Sequence, residues 1–287
     1  MSHSASNGPP PHMVWTLRRT GGTTLASLLS SLSPHPSVEH EPFIAGRVFA
    51  GVADAYEEGR LEEYRRGIRE IMDGKYVIKH CFETRAWDFN LDVASRFSEG
   101  GAYRHLILLR RSESKRLLSL AVALETGSWG PRQAERVLEG LKGTPPKSIE
   151  LSIPRFQIEH ERCQQRLARL RAFFERRSIP YRVVFFEDIY KGDEATRIER
   201  LEELLGFLDL GPPTEGSLER LFTRAQKSDE IYGYIANSEQ FLSEVTQEPS
   251  AASRLMYRLE TSMGSVRSWS FSRLGRLRRR VARRNHA

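Results

Sequence analysis

The alternation of apolar and polar residues predicts four strands with helices between them. Each strand candidate is a short run rich in β-branched, aromatic and aliphatic residues, bounded by polar or turn-forming residues. The runs are His12–Leu17, Tyr76–Cys81, Tyr103–Leu109 and Tyr181–Phe186. The third run, YRHLILL, has the length and apolar content of a buried strand.

Between the strands, apolar residues recur every three or four positions, which predicts helices. The predicted helical segments are a helix around Leu25 to Leu32, an exposed charged helix over 52–72, a helix after the third strand that stops at Gly127, and two later helices over Ile153–Arg177 and Thr196–Leu208. Strands that alternate with helices indicate an α/β fold, with a central parallel sheet of about four to five strands flanked by helices.

The composition excludes several classes of protein. Of the 287 residues, 39% are hydrophobic and 9% are aromatic, which is typical of a globular chain with a core. No apolar run reaches the roughly 20 residues that span a bilayer, and we expect no signal peptide because residues 1–12 lack an apolar stretch. The cysteines, Cys81 and Cys163, have no disulfide-scaffold or zinc spacing, so we expect a cytoplasmic protein.

The net charge of +7 is concentrated at the carboxyl end. No acidic residue follows Glu260, whereas eight arginines lie between Arg267 and Arg284. Removing those eight charges leaves −1 for residues 1–260. The basic tail, 263–287, also carries apolar residues, so it suits a contact with a membrane surface, a contact with nucleic acid, or a solvated tail.

The first segment with recognisable chemistry is Arg19-Thr20-Gly21-Gly22-Thr23-Thr24, between the first strand and the first helix. Two glycines allow successive backbone N–H groups to point at one anion, and the helix dipole and the threonine hydroxyls add to this. The ATP-type P-loop differs in spacing and has a lysine that this segment lacks. The same residues also suit a plain Gly-Gly turn.

A second segment follows the third strand. Arg110 and Arg111 end that strand, and Ser119 lies eight residues beyond Arg111 on the following helix. Ligands of open parallel sheets bind at the carboxyl edge, so an arginine and a serine placed there suit a second phosphate. An exposed basic turn and a surface serine are the alternative interpretation.

These segments resemble motifs of the sulfotransferases. The segment 19–25 is similar to the loop with which that family binds the 5′-phosphosulfate of 3′-phosphoadenosine 5′-phosphosulfate (PAPS), and 108–129 is similar to its 3′-phosphate motif. The end of the latter segment, 120–129, and FFEDI at 185–189 resemble the bacterial trehalose sulfotransferase family in particular. The resemblance covers about residues 13–230 and differs at Gly22, where relatives often have a hydroxyl residue, and at Ser112, where many have proline.

The resemblance implies a P-loop-like three-layer fold, with a sulfotransferase domain over 13–262. Residues 1–12 are rich in Ser, Pro, Gly and His, and this composition predicts a disordered N-terminus. The resemblance also implies that PAPS is the cofactor, that 3′-phosphoadenosine 5′-phosphate is the product, and that the chemistry needs no metal. The residues that it assigns to the 5′-phosphosulfate are Arg19, Thr20, Gly21, Gly22, Thr23 and Thr24, and those that it assigns to the 3′-phosphate are Arg111 and Ser119. Arg19 would also stabilise charge on the leaving phosphate.

On the acceptor side, the resemblance places a catalytic base in the segment SVEHEPF. Glu41 fits the family's pattern best, and Glu39 and His40 are the alternatives; without the resemblance all three would be taken as solvated loop residues. Lys79 and His80, at the end of the second strand, are the candidate substrate-binding residues.

Three hypotheses for the function follow. The first is a PAPS-dependent sulfotransferase that acts by in-line displacement on a hydroxyl of a carbohydrate, a glycolipid or another small molecule. Its candidate partners are a second copy of the chain, in a homodimer, and a membrane surface that the tail contacts. The second is a nucleotide-binding phosphotransferase. The third is a non-catalytic protein that binds a membrane or a nucleic acid.

Overall fold

A computed structural model describes residues 8–38, 41–222, 228–255 and 257 of the chain. Its contacts divide the described residues into two compact units. The first comprises those within 1–111 and 163–224, and the second comprises those within 112–162 and from 225 onwards.

The first unit contains a sheet of four parallel strands, as the sequence predicts. The strands are β1 (His12–Thr16), β2 (Ile78–Cys81), β3 (Arg104–Leu109) and β4 (Tyr181–Phe185), in the spatial order β2-β1-β3-β4. The register is continuous across the sheet, since Trp15 lies opposite His80 on one side and Ile107 on the other. The α/β prediction is therefore confirmed.

Helices of the first unit separate and follow these strands. Those between β1 and β3 are α1 (Gly22–Leu32), α2 (Ala50–Glu57), α3 (Leu61–Asp73) and α4 (Trp87–Ser98). Those after β4 are α8 (Phe186–Tyr190), α9 (Glu194–Phe207) and α10 (Glu215–Phe222).

The second unit is helical in its named elements, α5 (Glu113–Thr126), α6 (Pro131–Leu141), α11 (Ser228–Tyr232) and α12 (Ser238–Glu244). Helix α7 (Ile153–Arg176) has residues 153–162 in this unit and residues 163–176 in the first. The core of the second unit contains Leu117, Leu120, Phe156 and Phe241.

Both faces of the sheet are covered, because successive strand residues point to opposite sides. Met13, Trp15 and Ile107 pack in one core with residues of α2, α3, α4 and the carboxyl half of α7. Val14, Leu106 and Leu108 pack in a second core with residues of α1, α9 and α10. The result is a parallel sheet flanked by helices.

The helices differ in part from those that the sequence predicts. The single helix predicted over 52–72 is wrong: α2 and α3 are separated at Gly59, which has a left-handed φ of 75°. Helix α4 was not predicted, although Phe89, Val93 and Phe97 recur every four residues and are buried. The predicted stop at Gly127 is confirmed, since this glycine caps α5 with a φ of 78°.

Candidate functional site

The candidate site lies at the carboxyl edge of the sheet in the first unit. β1 and β3 are neighbours, yet the chain passes from β1 to β2 on one side and from β3 to β4 on the other. The loops after two such strands diverge and leave a crevice, which is where open parallel sheets bind ligands. The residues that enter this edge are 17–21 after β1 and 110–111 after β3.

Two buried threonines hold the loop after β1 in shape. The hydroxyl of Thr20, which is 1% exposed, donates to the carbonyl of Leu17 over 2.7 Å. It also forms a hydrogen bond with the hydroxyl of Thr16, at the end of β1. A hydroxyl has one proton to donate, and the Thr20 hydroxyl donates it to a carbonyl of the loop itself.

Gly21 occupies a position that is unsuited to a side chain. Its φ is 79°, and a Cβ there would lie 2.6 Å from the ring of Phe186. The hydroxyl of Tyr190 donates to the carbonyl of Gly21 over 3.2 Å, and the Tyr190 ring stacks on Phe186 with centroids 4.6 Å apart. Helix α8, which carries both aromatic residues, therefore supports the loop.

The first turn of α1 follows this loop directly. Its N-cap is Gly21, which has no side chain to bond the first amides of the helix. Thr23 is exposed and Thr24 is half-buried. The amides and the positive end of the helix dipole together suit a bound anion.

The side chain of Lys79 reaches the same turn. A Cβ placed on Gly22 would lie 3.1 Å from Cε of Lys79 and 3.4 Å from side-chain atoms of Thr16 and Leu108. The space beside Gly22 is thus occupied by Lys79, whose side chain is only 6% exposed. The absence of a Cβ at Gly22 lets a buried positive charge lie against α1.

The arginines around the loop have different surroundings. Arg18 forms an ion pair with Glu83, whose carboxylate also accepts the Arg18 backbone N–H over 3.0 Å. Arg19 is half-buried with a left-handed φ of 68°, and its carbonyl accepts a hydrogen bond from Arg110. The Arg110 guanidinium lies 4.8 Å from the centroid of the Phe186 ring.

Glu41, the predicted base, belongs to an ion pair with Lys79. Its carboxylate accepts from Lys79 Nζ over 2.5 Å and from Cys81 Sγ over 3.2 Å, and its backbone N–H donates to the Lys79 carbonyl. Burial alone would raise the pKa of Glu41, but the charge of Lys79, these hydrogen bonds and the charge of Arg18 hold that pKa below its usual value. The structure therefore brings Glu41, Lys79 and Gly22 together.

The loop that carries Glu41 is fixed by an arginine that the sequence analysis missed. Arg85 donates to the carbonyl of Phe43 over 2.6 Å and pairs with Asp54 and Glu57 of α2. The side chain of Arg85 is 8% exposed. No local pattern marks this residue, since its partners lie about 30 to 40 positions earlier in the chain.

His80 does not join this group. It alternates with Lys79 along β2 and points into the opposite core, where it is fully buried beside the rings of Trp15 and Phe43. Its Nε2 forms a hydrogen bond with Asn90 over 2.6 Å. Burial lowers the pKa of His80 to about 4, so its ring is neutral near pH 7.

Arg111 lies at the same edge of the sheet, after β3, and is held by two acidic residues. Its guanidinium pairs with both carboxylate oxygens of Asp188 and lies 4.3 Å from the centroid of the Phe185 ring. Its backbone N–H donates to Glu187 over 2.8 Å. This cluster could be predicted from the sequence. Glu187 and Asp188 follow β4 just as Arg110 and Arg111 follow the neighbouring strand β3.

The remaining predicted residues lie elsewhere. Ser119 is buried on α5 of the second unit. Glu39, His40 and the tail, 263–287, lie outside the described residues.

Comparisons of the chain with protein-family models, with curated proteins and with solved structures gave no match. The resemblance to sulfotransferases thus rests on the motifs quoted above. Within the described part of the chain, none of the helices combines the length and the apolar character that crossing a bilayer requires.

Proposed function

We propose that this chain is a sulfotransferase, which transfers a sulfuryl group from PAPS to a hydroxyl of a carbohydrate, a glycolipid or another small molecule. The observation that carries the proposal is the loop after β1, which runs through Gly21 into the uncapped first turn of α1 and has the buried Lys79 ammonium beside it. The proposal includes a P-loop-like arrangement of this loop and sheet.

The residues around the loop fit an anionic cofactor. No side chain caps the first amides of α1, and the positively charged side chains around the loop are those of Arg18, Arg19, Arg110 and Lys79. PAPS would supply an activated sulfuryl group on a phosphate leaving group. In this proposal Thr23, Thr24 and the amides of α1 hold the 5′-phosphosulfate, and Arg19 stabilises negative charge on the leaving oxygen.

The acceptor hydroxyl requires a base in position to take its proton. Glu41 is the proposed base, because its carboxylate is bonded to Lys79, the residue that lies against α1. Its lowered pKa keeps the carboxylate ionised at neutral pH, which a base needs, although a low pKa also weakens it as a proton acceptor.

The 3′-phosphate is assigned to Arg111. This guanidinium is already oriented by Asp188 and Phe185, and half of its side chain is exposed. Arginine suits phosphate because it offers several donors in one plane. Recognition of the 3′-phosphate would separate PAPS from ordinary adenine nucleotides.

The test is ligand-induced thermal stabilisation followed by a transfer assay. We expect 3′-phosphoadenosine 5′-phosphate to raise the melting temperature and ATP to have little effect. Arg111→Ala should lose this response, whereas Arg169→Ala, which removes an exposed arginine from α7, should keep it. Radiolabelled sulfate should then pass from PAPS to a hydroxyl-bearing extract.

Other outcomes support the competing hypotheses. Stabilisation by ATP rather than by 3′-phosphoadenosine 5′-phosphate would favour a phosphotransferase. Indifference to both nucleotides would favour a non-catalytic binding protein, and the tail would then be tested on vesicles of anionic lipid.

A further inference from the structure

Lys79 is placed to interact with two partners at once. Its Cε lies 3.1 Å from the Cβ position of Gly22, at the start of α1, and its Nζ lies 2.5 Å from the Glu41 carboxylate. The side chains of Lys79 and Glu41 are 6% and 25% exposed, so water screens this pair only in part. The other groups that act on the Glu41 carboxylate are Cys81, whose thiol donates to it, and the charge of Arg18. The charge of Glu41 also acts on His80, which is buried on the other face of β2 and has a lowered pKa.

This arrangement has an energetic consequence. A buried ammonium must keep an anionic or hydrogen-bonding partner, since leaving it uncompensated is costly. In the structure the Glu41 carboxylate provides that partner. A multiply charged anion beside Gly22 would offer Lys79 a second and more strongly charged partner within reach of the same flexible side chain.

Resting on the proposed function, we propose that Lys79 is a positioning residue that couples the loop to Glu41: it restrains the Glu41 carboxylate while the loop is empty and turns towards the anion when the loop is filled. The base would then be released only when the sulfuryl donor is present. The coupling needs no movement of the backbone, because the change is confined to one lysine side chain.

The coupling has a signature that does not depend on turnover. When the Lys79 ammonium turns away, its charge and hydrogen bond no longer offset the effect of burial on the Glu41 carboxylate. The pKa of Glu41 therefore rises. Binding of the anion is therefore linked to uptake of a proton by Glu41, and by reciprocity a lower pH should strengthen binding.

The experiment is titration calorimetry with 3′-phosphoadenosine 5′-phosphate in two buffers of different ionisation enthalpy. The phosphates of the ligand also exchange protons, so the measured quantity is the difference between variants. At mildly acidic pH we expect the unaltered protein to take up more protons per ligand than Glu41→Gln does. Glu70→Gln, which changes an exposed glutamate of α3, is the matched control and should behave like the unaltered protein.

The lysine is tested in the same way. Lys79→Met should lose the Glu41-dependent uptake, and Lys79→Arg, which keeps the charge, should retain part of it. Normal binding with equal uptake in the unaltered protein and in Glu41→Gln would overturn the coupling while leaving the proposed function intact. A complete absence of binding would overturn both.

Discussion

Replacing Gly21 by alanine tests whether the loop after β1 is built around the absence of a side chain. Two costs add at this position. An L-residue at the left-handed φ of 79° loses about 1–2 kcal/mol. The new Cβ also overlaps the Phe186 ring at 2.6 Å, and overpacking of this kind costs about 1–3 kcal/mol. Gly21→Ala should therefore lower the free energy of unfolding by about 2–5 kcal/mol.

The chain offers a matched control for the first cost. Gly59 has a φ of 75° and no heavy atom within 4 Å of its Cβ position. Gly59→Ala should therefore lose only about 1–2 kcal/mol. In a Phe186→Ala background, the cost of Gly21→Ala should fall to the same level, because the ring that the Cβ meets is gone.

Urea unfolding of Gly21→Ala, Gly59→Ala, Phe186→Ala and the double variant with Gly21→Ala and Phe186→Ala measures these differences. Calorimetry with 3′-phosphoadenosine 5′-phosphate then measures the affinity of the loop for the ligand. Under conditions where Gly21→Ala is folded, its affinity should fall at least about tenfold, since binding depends on the backbone of this turn. Gly59→Ala should bind normally. Equal costs for Gly21→Ala and Gly59→Ala while Phe186 is present, or an unchanged cost of Gly21→Ala in the Phe186→Ala background, would refute the reasoning.

Three further predictions follow from the buried and charged residues. Burial lowers the pKa of His80 to about 4, below the unfolded value of about 6.5. The free energy of unfolding should therefore decrease as the pH falls from about 6.5 towards 4, by up to about 1.4 kcal/mol per pH unit. Urea unfolding of His80→Phe should show a weaker dependence of this free energy on pH. Arg111→Ala should weaken binding of 3′-phosphoadenosine 5′-phosphate at least about tenfold but that of adenosine 5′-phosphosulfate far less, and equal losses in calorimetry would contradict the assignment. Arg19→Gly should unfold at no lower urea concentration than the unaltered protein, because glycine suits a φ of 68°. Its turnover of PAPS should nevertheless fall at least about 10²-fold, and normal turnover would exclude a catalytic role.

The sheet and its loop could be predicted because they depend on local sequence. An apolar run such as LILL at 106–109 has few alternatives to a buried strand, and a loop that follows such a strand must emerge at one edge of a parallel sheet. The helix predicted over 52–72 failed for a local reason as well, since a glycine in the left-handed region interrupts it at Gly59.

The partners of the charged residues could not be predicted, because they come from distant parts of the chain. Glu83 pairs with Arg18 across 65 positions, and Asp54 pairs with Arg85 across 31. Lys79 and His80 are a different case. They form one candidate pair in the sequence, yet alternation along β2 sends adjacent side chains to opposite faces, so strand geometry alone separates them.

The backbone gives an independent reason to single out Arg19 and Glu41. Among the described residues other than glycine, a left-handed φ occurs also at Lys75, Ser178 and Asp209, each of which follows the end of a helix, and at Lys147 in a loop. A left-handed residue after a helix is the ordinary way for a helix to end. Arg19 follows a strand and Glu41 precedes a turn in a loop, so neither has that explanation. Glycine would suit both positions better, and strain of this kind is concentrated at functional sites. Three described residues, Arg19, Glu41 and Lys147, thus lack that explanation. Two of the three are the side chains to which the proposed chemistry assigns charge stabilisation and proton acceptance.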